Sequence, residues 1–256
     1  MGEPSDKNVR AVERAIMILN SFDDEHPERG VTDIAGVVKL DKATTYRILT
    51  TMLNYGLIER SIDGQRYKLG VQLVNLGFRV TRRLDVRREA YPFITLLAQK
   101  VDEVVDLSIF DQMQVLVIEM VQCRHALTLA SSVGQRLPAH CTASGKVLLA
   151  FLPEEQLIQY LSKPMVTFTN NTITNPDDLH KQLGTIRERG LAFDNEESEL
   201  GLKAVGSPIL DQMGKAVAVV SVLGPVRRIT KNRIPEISSA LKETTELISR
   251  RFGWSK

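Results

Sequence analysis

Residues 31–53 constrain this chain more tightly than any other stretch. Thr32 stands where a helix N-cap oxygen is wanted, and apolar spacing then runs through Val38, so a short helix is expected there. Leu40-Asp41 makes a tight break. Asp41 is placed to cap a second helix, from about Lys42 to Asn54, which Gly56 ends in a C′ position. Two strands follow, Leu57 to Arg60 and Gln65 to Leu69. Between them lies Ser61-Ile62-Asp63-Gly64, whose Asp-Gly pair is a strong hairpin signal. Ahead of these elements, Val12, Ala15, Ile16, Leu19 and Phe22 recur at helical spacing within Val9 to Phe22. Helix, helix, tight turn, helix and hairpin within about 70 residues is the order of a winged helix-turn-helix.

On the second helix Thr45, Leu49 and Met52 share one face, which leaves Lys42, Ala43, Thr44, Tyr46 and Arg47 on the other, near the helix N-terminus. That is the end that enters a DNA major groove. Thr44 can bond a base edge, Arg47 can fork onto guanine or a phosphate, and Lys42 suits phosphate. Arg66 and Lys68 on the hairpin can reach the DNA backbone or the minor groove. The alternative is a set of ordinary exposed polar residues on a helix bundle.

Charge favours the DNA reading. The 256 residues carry a net charge of only +2, but residues 42–88 hold 10 Lys/Arg against 3 Asp/Glu, a local +7. Residues 1–41 sum to −4 and the remainder to −1. A basic block of this density fits a polyanion partner; a solvated basic face is the bland alternative. Five of the arginines, from Arg79 to Arg88, fall on a further expected helix, Val71 to Arg88, and Pro92 is expected to interrupt the pattern soon after.

The rest reads as mixed α/β. Strands are expected at Val104 to Phe110, Val115 to Val121 and Leu127 to Ser131, with Asp111-Gln112 as a turn. Helices are expected at Thr142 to Phe151, from Pro153 to near Leu161, at Asp177 to Arg189 before Gly190, and at Pro235 to Phe252. Ala204 to Leu210 and Lys215 to Leu223 should form a hairpin. Hairpins with intervening helices argue for an antiparallel sheet flanked by helices. The fold class is therefore α+β. The expected divisions are a DNA-binding domain at 1–70, a linker helix at 71–89 and a second domain at 90–256. The longest apolar run, Ala216 to Leu223, is far short of a membrane span, and the first residues carry no apolar signal region. Two cysteines make no disulfide framework, so a reduced cytoplasmic protein with no membrane association is expected.

The order of motifs resembles the IclR family of bacterial transcription regulators from about Val9 to Phe252. The resemblance rests on VRAVERAIMILNSF, VTDIAGVVKLDKATTYRILTTMLNYGLIER and GQRYKLG, then on LPAHCTASGKVLLAFLPEE, RGLAFDNEESELGLKAVGSPILD and VAVVSVLGPVRRIT. It implies a winged helix-turn-helix, a linker helix that helps dimerise, and a GAF-like effector-binding domain. It also implies palindromic operator DNA bound by a homodimer or dimer of dimers, with a small organic metabolite altering that binding. Repressors and activators are alike in sequence, so the sign of regulation does not carry over. By alignment the effector pocket includes Thr142, Ala143 and Ser144 at a helix N-terminus, where free N–H groups suit a carboxylate. Asp194, Ala204 and Ser221 also map to it, and Leu127 and Leu129 supply apolar wall. Leu223 departs from relatives that carry a second serine, which implies a less polar floor.

Catalysis finds little support, and neither a cofactor nor a metal is expected. Ala143-Ser144-Gly145-Lys146 resembles the end of a P-loop, but His140 stands where the leading glycine belongs. Glu196, Glu197 and Glu199 read as a solvated acidic loop. Cys123, His125, His140 and Cys141 are zinc ligands in kind, but in an unusual spacing; Cys141 reads rather as a small hydrophobe at the pocket. The rival from another class is a metabolite-binding module or enzyme with a basic helical appendage. Such a protein has no need of the helix and wing from Asp41 to Lys68.

Overall fold

The computed structural model describes residues 9–81, 85–123 and 132–255. The chain divides into two compact units, residues 1–83 and 84–256.

The first unit contains α1 (Arg10–Leu19), β1 (Arg29–Gly30), α2 (Val31–Val38), α3 (Lys42–Asn54), β2 (Ile58–Arg60), β3 (Arg66–Leu69) and α4 (Val71–Thr81). Helix α2 begins at Val31, so Thr32 is not its cap. Gly30 holds the N-cap position, and Asp33 reaches back to accept the Gly30 amide at 3.2 Å. Lys39 takes a left-handed φ of 54°, which lets the Leu40 amide return to the Ala35 carbonyl at 3.0 Å and makes the tight turn. Asp41 then caps α3 as expected, accepting from the Thr44 amide at 2.8 Å. Ile18, Ile34, Val38, Leu49, Met52, Ile58 and Tyr67 form the small core that fixes these elements together. The sheet order is β1-β3-β2, all antiparallel. At its hairpin Gly64 has φ +70°, the conformation for which the Asp-Gly pair is suited.

The second unit contains α5 (Asp85–Val101), β4 (Val104–Asp111), β5 (Gln114–Val121), β6 (Arg136–Leu137), α6 (Ala143–Ala150), α7 (Glu154–Leu161), α8 (Pro176–Arg189), β7 (Ala192–Asn195), β8 (Leu202–Leu210), β9 (Ala216–Pro225) and α9 (Ile234–Arg251). The expected helix over 71–88 is described as α4 and the start of α5, with 82–84 outside the described residues. Pro92 does not break the pattern but lies inside α5. The buried stripe Val86, Ala90, Ile94, Leu97, Ala98 and Val101 runs straight past it. Burying several such side chains, at about 1.5–3 kcal/mol for each large one, outweighs the roughly 3 kcal/mol of a helix-interior proline. The expected strand at Leu127 to Ser131 lies outside the described residues.

The six strands form one antiparallel sheet in the order β6-β5-β4-β9-β8-β7. Its β4–β5 turn is Gln112-Met113, one residue later than expected, with both residues at positive φ as a type I′ turn requires. Alternate side chains divide between the two faces. Val105, Leu107, Val205, Val220 and Val222 pack against α5 and α9 through Ile94, Leu97, Ile237 and Leu241. Val219 and Val115 face the other way, towards Val147 and Leu149 of α6, Leu157 of α7 and Leu183 of α8. The architecture is an antiparallel sheet flanked by helices, as expected.

Candidate functional site

Two surfaces hold the candidate groups, one in each unit. In the first, the packing of α3 decides what remains outside. Thr45, Leu49 and Met52 are buried, and the Thr45 hydroxyl donates to the Asp41 carbonyl at 2.9 Å. Lys42, Ala43, Tyr46 and Arg47 are exposed and Thr44 is half-buried, all within the first two turns. The Asp41 carboxyl is held below its ordinary value by the Thr44 amide, so the cap stays ionised. On the wing Arg66 is exposed and Lys68 half-buried, while Tyr67 between them turns into the core. The wing is braced internally. Arg60 donates to the Gly64 carbonyl at 2.5 Å, and its guanidinium stands 5.2 Å from the Tyr67 ring centre. The Ser61 hydroxyl donates to Asp63 at 2.5 Å and accepts from the Arg66 amide at 3.0 Å. Arg87 and Arg88, in the second unit, are engaged by carboxylates, Arg87 with Glu119 at 2.6 Å and Arg88 with Glu89 at 3.2 Å. The side chains of Arg79, Arg82 and Arg83 lie outside the described residues.

In the second unit a cavity of about 180 Å³ opens between the sheet and the start of α6. Thr142, Ala143, Ser144, Asp194, Ala204 and Ser221 all line it, so the structure brings together six residues that the sequence expectation grouped. Leu127 and Leu129 lie outside the described residues. Leu223 lines the cavity too, as an apolar floor. Missed from sequence were Asp106, Gln135, Leu137, Pro138, Phe168, Ser198, Glu199 and Leu202. Asp106 alone had left a signal, an acid inside the apolar strand sequence VVDLSIF.

Strand register places the cavity's groups. Across one row Ala192, Gly206, Ser221 and Asp106 are successive partners on β7, β8, β9 and β4. The neighbouring row on the same face is Asp194, Ala204, Leu223 and Val104. The N-terminus of α6 lies directly on Gly206: a Cβ there would come within 3.0 Å of the Ala143 carbonyl carbon and 3.3 Å of the Ser144 nitrogen. A side chain between helix end and sheet would have to push the backbone of α6 aside by a few tenths of an ångström. Thr142 caps α6, accepting from the Gly145 amide at 3.2 Å, and the Ala143 and Ser144 amides meet no acceptor among the described residues.

The acids differ in state. Burial pushes the Asp106 carboxyl up to about 7; Ser108 and Ser221 only partly offset this. The Asp194 carboxyl is also raised by burial, but it is well bonded. One oxygen accepts from the Glu197 and Ser198 amides at 2.8 and 3.4 Å, the other from the Ser198 hydroxyl at 2.5 Å. Glu197 is not part of a solvated loop: it is buried and paired at 2.5 Å with the fully buried Lys146 of α6. Lys146 therefore serves no phosphate-binding loop. It ties α6 to the turn after β7, whose Ser198 and Glu199 line the cavity.

His140 and Cys141 are committed elsewhere. His140 Nε2 faces the Val166 carbonyl at 2.9 Å and Nδ1 the Tyr160 hydroxyl at 3.3 Å, and burial lowers its pKa, which favours the neutral ring. Burial pushes the Cys141 thiol up to about 12, which removes it as a thiolate. Among the described residues no three His, Cys, Asp or Glu side chains are grouped to hold a metal ion. No helix among them is long and apolar enough to cross a membrane.

A winged helix-turn-helix joined to a cavity-bearing α+β unit is the architecture of a DNA-binding regulator, and the comparisons agree. Residues 11–61 match the family model described as IclR helix-turn-helix domain, and residues 78–250 match that of the bacterial transcriptional regulator IclR C-terminal. The chain is 31% identical to the HTH-type transcriptional regulator XynR of Escherichia coli, over 96% of this chain and 98% of that one. The IclR structure from Thermotoga maritima superposes with a TM-score of 0.80 at 34% identity, covering 96% of this chain and all of the other. An IclR homolog from Microbacterium hydrocarbonoxydans, complexed with 4-hydroxybenzoate, gives a TM-score of 0.86 at 26% identity with 96% and 100% covered. The chain belongs to the IclR family of DNA-binding transcription regulators.

Proposed function

We propose that this chain is a metabolite-responsive regulator rather than an enzyme, and that a small organic acid bound in the α6 cavity sets its operator affinity. One observation carries the reading: two residues with unbonded amides, at a capped helix N-terminus, line a largely apolar cavity. Helix amides there suit a carboxylate, and Leu137, Leu202, Ala204 and Leu223 suit its carbon frame. A cavity of about 180 Å³ is of the size that holds one substituted six-membered ring, since one of roughly 150 Å³ holds benzene. The 4-hydroxybenzoate bound by the Microbacterium homolog is consistent with that class.

Operator DNA is read by Lys42, Ala43, Thr44, Tyr46 and Arg47 of α3, with Arg66 and Lys68 on the wing contacting the backbone or minor groove. The working form is a homodimer or dimer of dimers. Supporting this, α1 leaves Val12 and Ile16 at 56% and 50% exposure, and α4 leaves Val71, Val74 and Leu76 exposed. Two recognition helices must sit about 34 Å apart or a multiple of it to read a palindrome. An effector that binds two dimer geometries unequally shifts that spacing and hence the affinity. A cytoplasmic location follows from the partner. The test is to select and sequence DNA bound by the purified protein, then measure mobility shifts of a selected site with and without organic acids. A palindromic site whose affinity responds to an acid is the expected result; failure to select any site refutes the reading.

A further inference from the structure

The cavity's polar groups differ in spare bonding capacity. Both oxygens of Asp194 are taken by Glu197 and Ser198, and the Thr142 hydroxyl donates to the Pro138 carbonyl at 2.8 Å while accepting from Gly145. Asp106 is different. It is buried, and within bonding distance it has one long contact, from the Ser108 hydroxyl at 3.3 Å to a single oxygen, with Ser221 near enough to favour the carboxylate weakly. Ser221 faces it across the β4–β9 register and is 2% exposed; beyond this weak pull on Asp106 its hydroxyl meets no partner at bonding distance among the described residues. Buried polar atoms rarely go unpaired, so this corner is built to receive a polar group from outside the chain.

We infer that Asp106 and Ser221 together bind a hydroxyl of the effector, so that the cavity selects hydroxycarboxylic acids over the same acids without the hydroxyl. The inference rests on the reading of the cavity as a carboxylate-binding effector site. The α6 amides lie over β8 at Gly206, Ser221 is one strand further and Asp106 two strands further. At about 4.8 Å per strand the two polar ends stand roughly 5–10 Å apart laterally, the reach of a ring or short chain with carboxylate and hydroxyl at opposite ends. Leu223 and Ala204 lie between, on the neighbouring row, where carbon belongs. A hydroxyl fits this corner in either protonation state of Asp106, since it donates to the carboxylate and accepts from the carboxylic acid. Ser221 supplies the complementary bond. A second carboxylate would meet Asp106 as a like charge.

The test measures binding of matched acids to the full chain by calorimetry: 3- and 4-hydroxybenzoate against benzoate, and 5-hydroxypentanoate against pentanoate, with 4-aminobenzoate as a substituent that donates hydrogen bonds but accepts them poorly. In at least one pair the hydroxylated acid is expected to bind tenfold or more tightly, because a site built around a hydroxyl penalises its absence. In Asp106→Val that ratio falls to about one. Ser221→Ala, a smaller change, lowers it at least threefold and stands in should the first variant not fold. If plain acids bind as tightly as hydroxylated ones, or 4-aminobenzoate binds more tightly than 4-hydroxybenzoate, or the ratio survives both substitutions, the inference fails while the effector cavity stands. If no acid of the panel binds at millimolar concentration, both fail.

Discussion

Replacing Asp106 by asparagine removes an ionisable group that the fold holds at a cost. Burial raises its carboxyl from an ordinary 3.8 to about 7. Between those values the unfolded chain gives up this proton while the folded chain keeps it. Stability therefore falls as pH rises from about 4 to about 7 and is level above that. At about 1.4 kcal/mol per pH unit the whole penalty is roughly 4 kcal/mol. An asparagine in its place would carry no such penalty. The new amide could still accept from the Ser108 hydroxyl and could donate to the unpaired Ser221 hydroxyl opposite. The Asp106→Asn protein should thus match the parent near pH 4 and exceed it increasingly up to pH 7. For a unit of this size roughly 4 kcal/mol raises the melting temperature by about 8–16 °C. Thermal unfolding of the ligand-free protein at intervals from pH 4 to 8.5, followed by the transition of the second unit, measures the difference. Parallel profiles for the two proteins, offset by a constant, would refute the burial argument.

Other substitutions test other parts. Arg47→Ala should weaken binding to a selected operator by about 1–3 kcal/mol if Arg47 reads a base; an unchanged mobility shift removes it from the reading face. Operator affinity should fall with salt at a log–log slope near −0.9 per phosphate contacted, and a slope near zero argues against phosphate contact altogether. Lys146→Met leaves Glu197 buried without its cation and should cost about 3–5 kcal/mol, most of which Lys146→Met with Glu197→Leu restores in denaturant unfolding. Were the single variant as stable as the parent, the pair would not brace α6. Gly206→Val puts a side chain against the backbone of α6 and should cost about 1–3 kcal/mol while abolishing acid binding; retained binding by calorimetry would move the effector elsewhere.

The helix-turn-helix was readable because its signals are local. Asp41, Gly56 and Asp63-Gly64 each act within a few residues of where they stand, and the apolar spacing of Thr45, Leu49 and Met52 fixed the buried face of α3. The start of α2 was misplaced because the reciprocal bond comes from Asp33, inside the helix. Pro92 misled because a local rule was overruled by a stripe packed against elements more than a hundred residues away. The strands β1, β6 and β7 are two to four residues long and have no period of their own; their partners define them. Six cavity residues followed from family resemblance. Asp106, Phe168 and Glu197 depend on long-range assembly, and in sequence a buried Glu197 looks the same as its solvated neighbours.

The bracing of the wing bears on the thermodynamics of operator recognition. Arg60 is tied to Gly64 and lies near the Tyr67 ring, and Ser61 is bonded on both sides of the turn, so this loop is held by bonds within its own chain. The entropy of ordering it is lost on folding, not on meeting DNA. Loosening the brace, for instance through Ser61, would then lower operator affinity while leaving every DNA-facing side chain in place. The deficit would appear as a less favourable binding entropy, with the salt dependence unchanged.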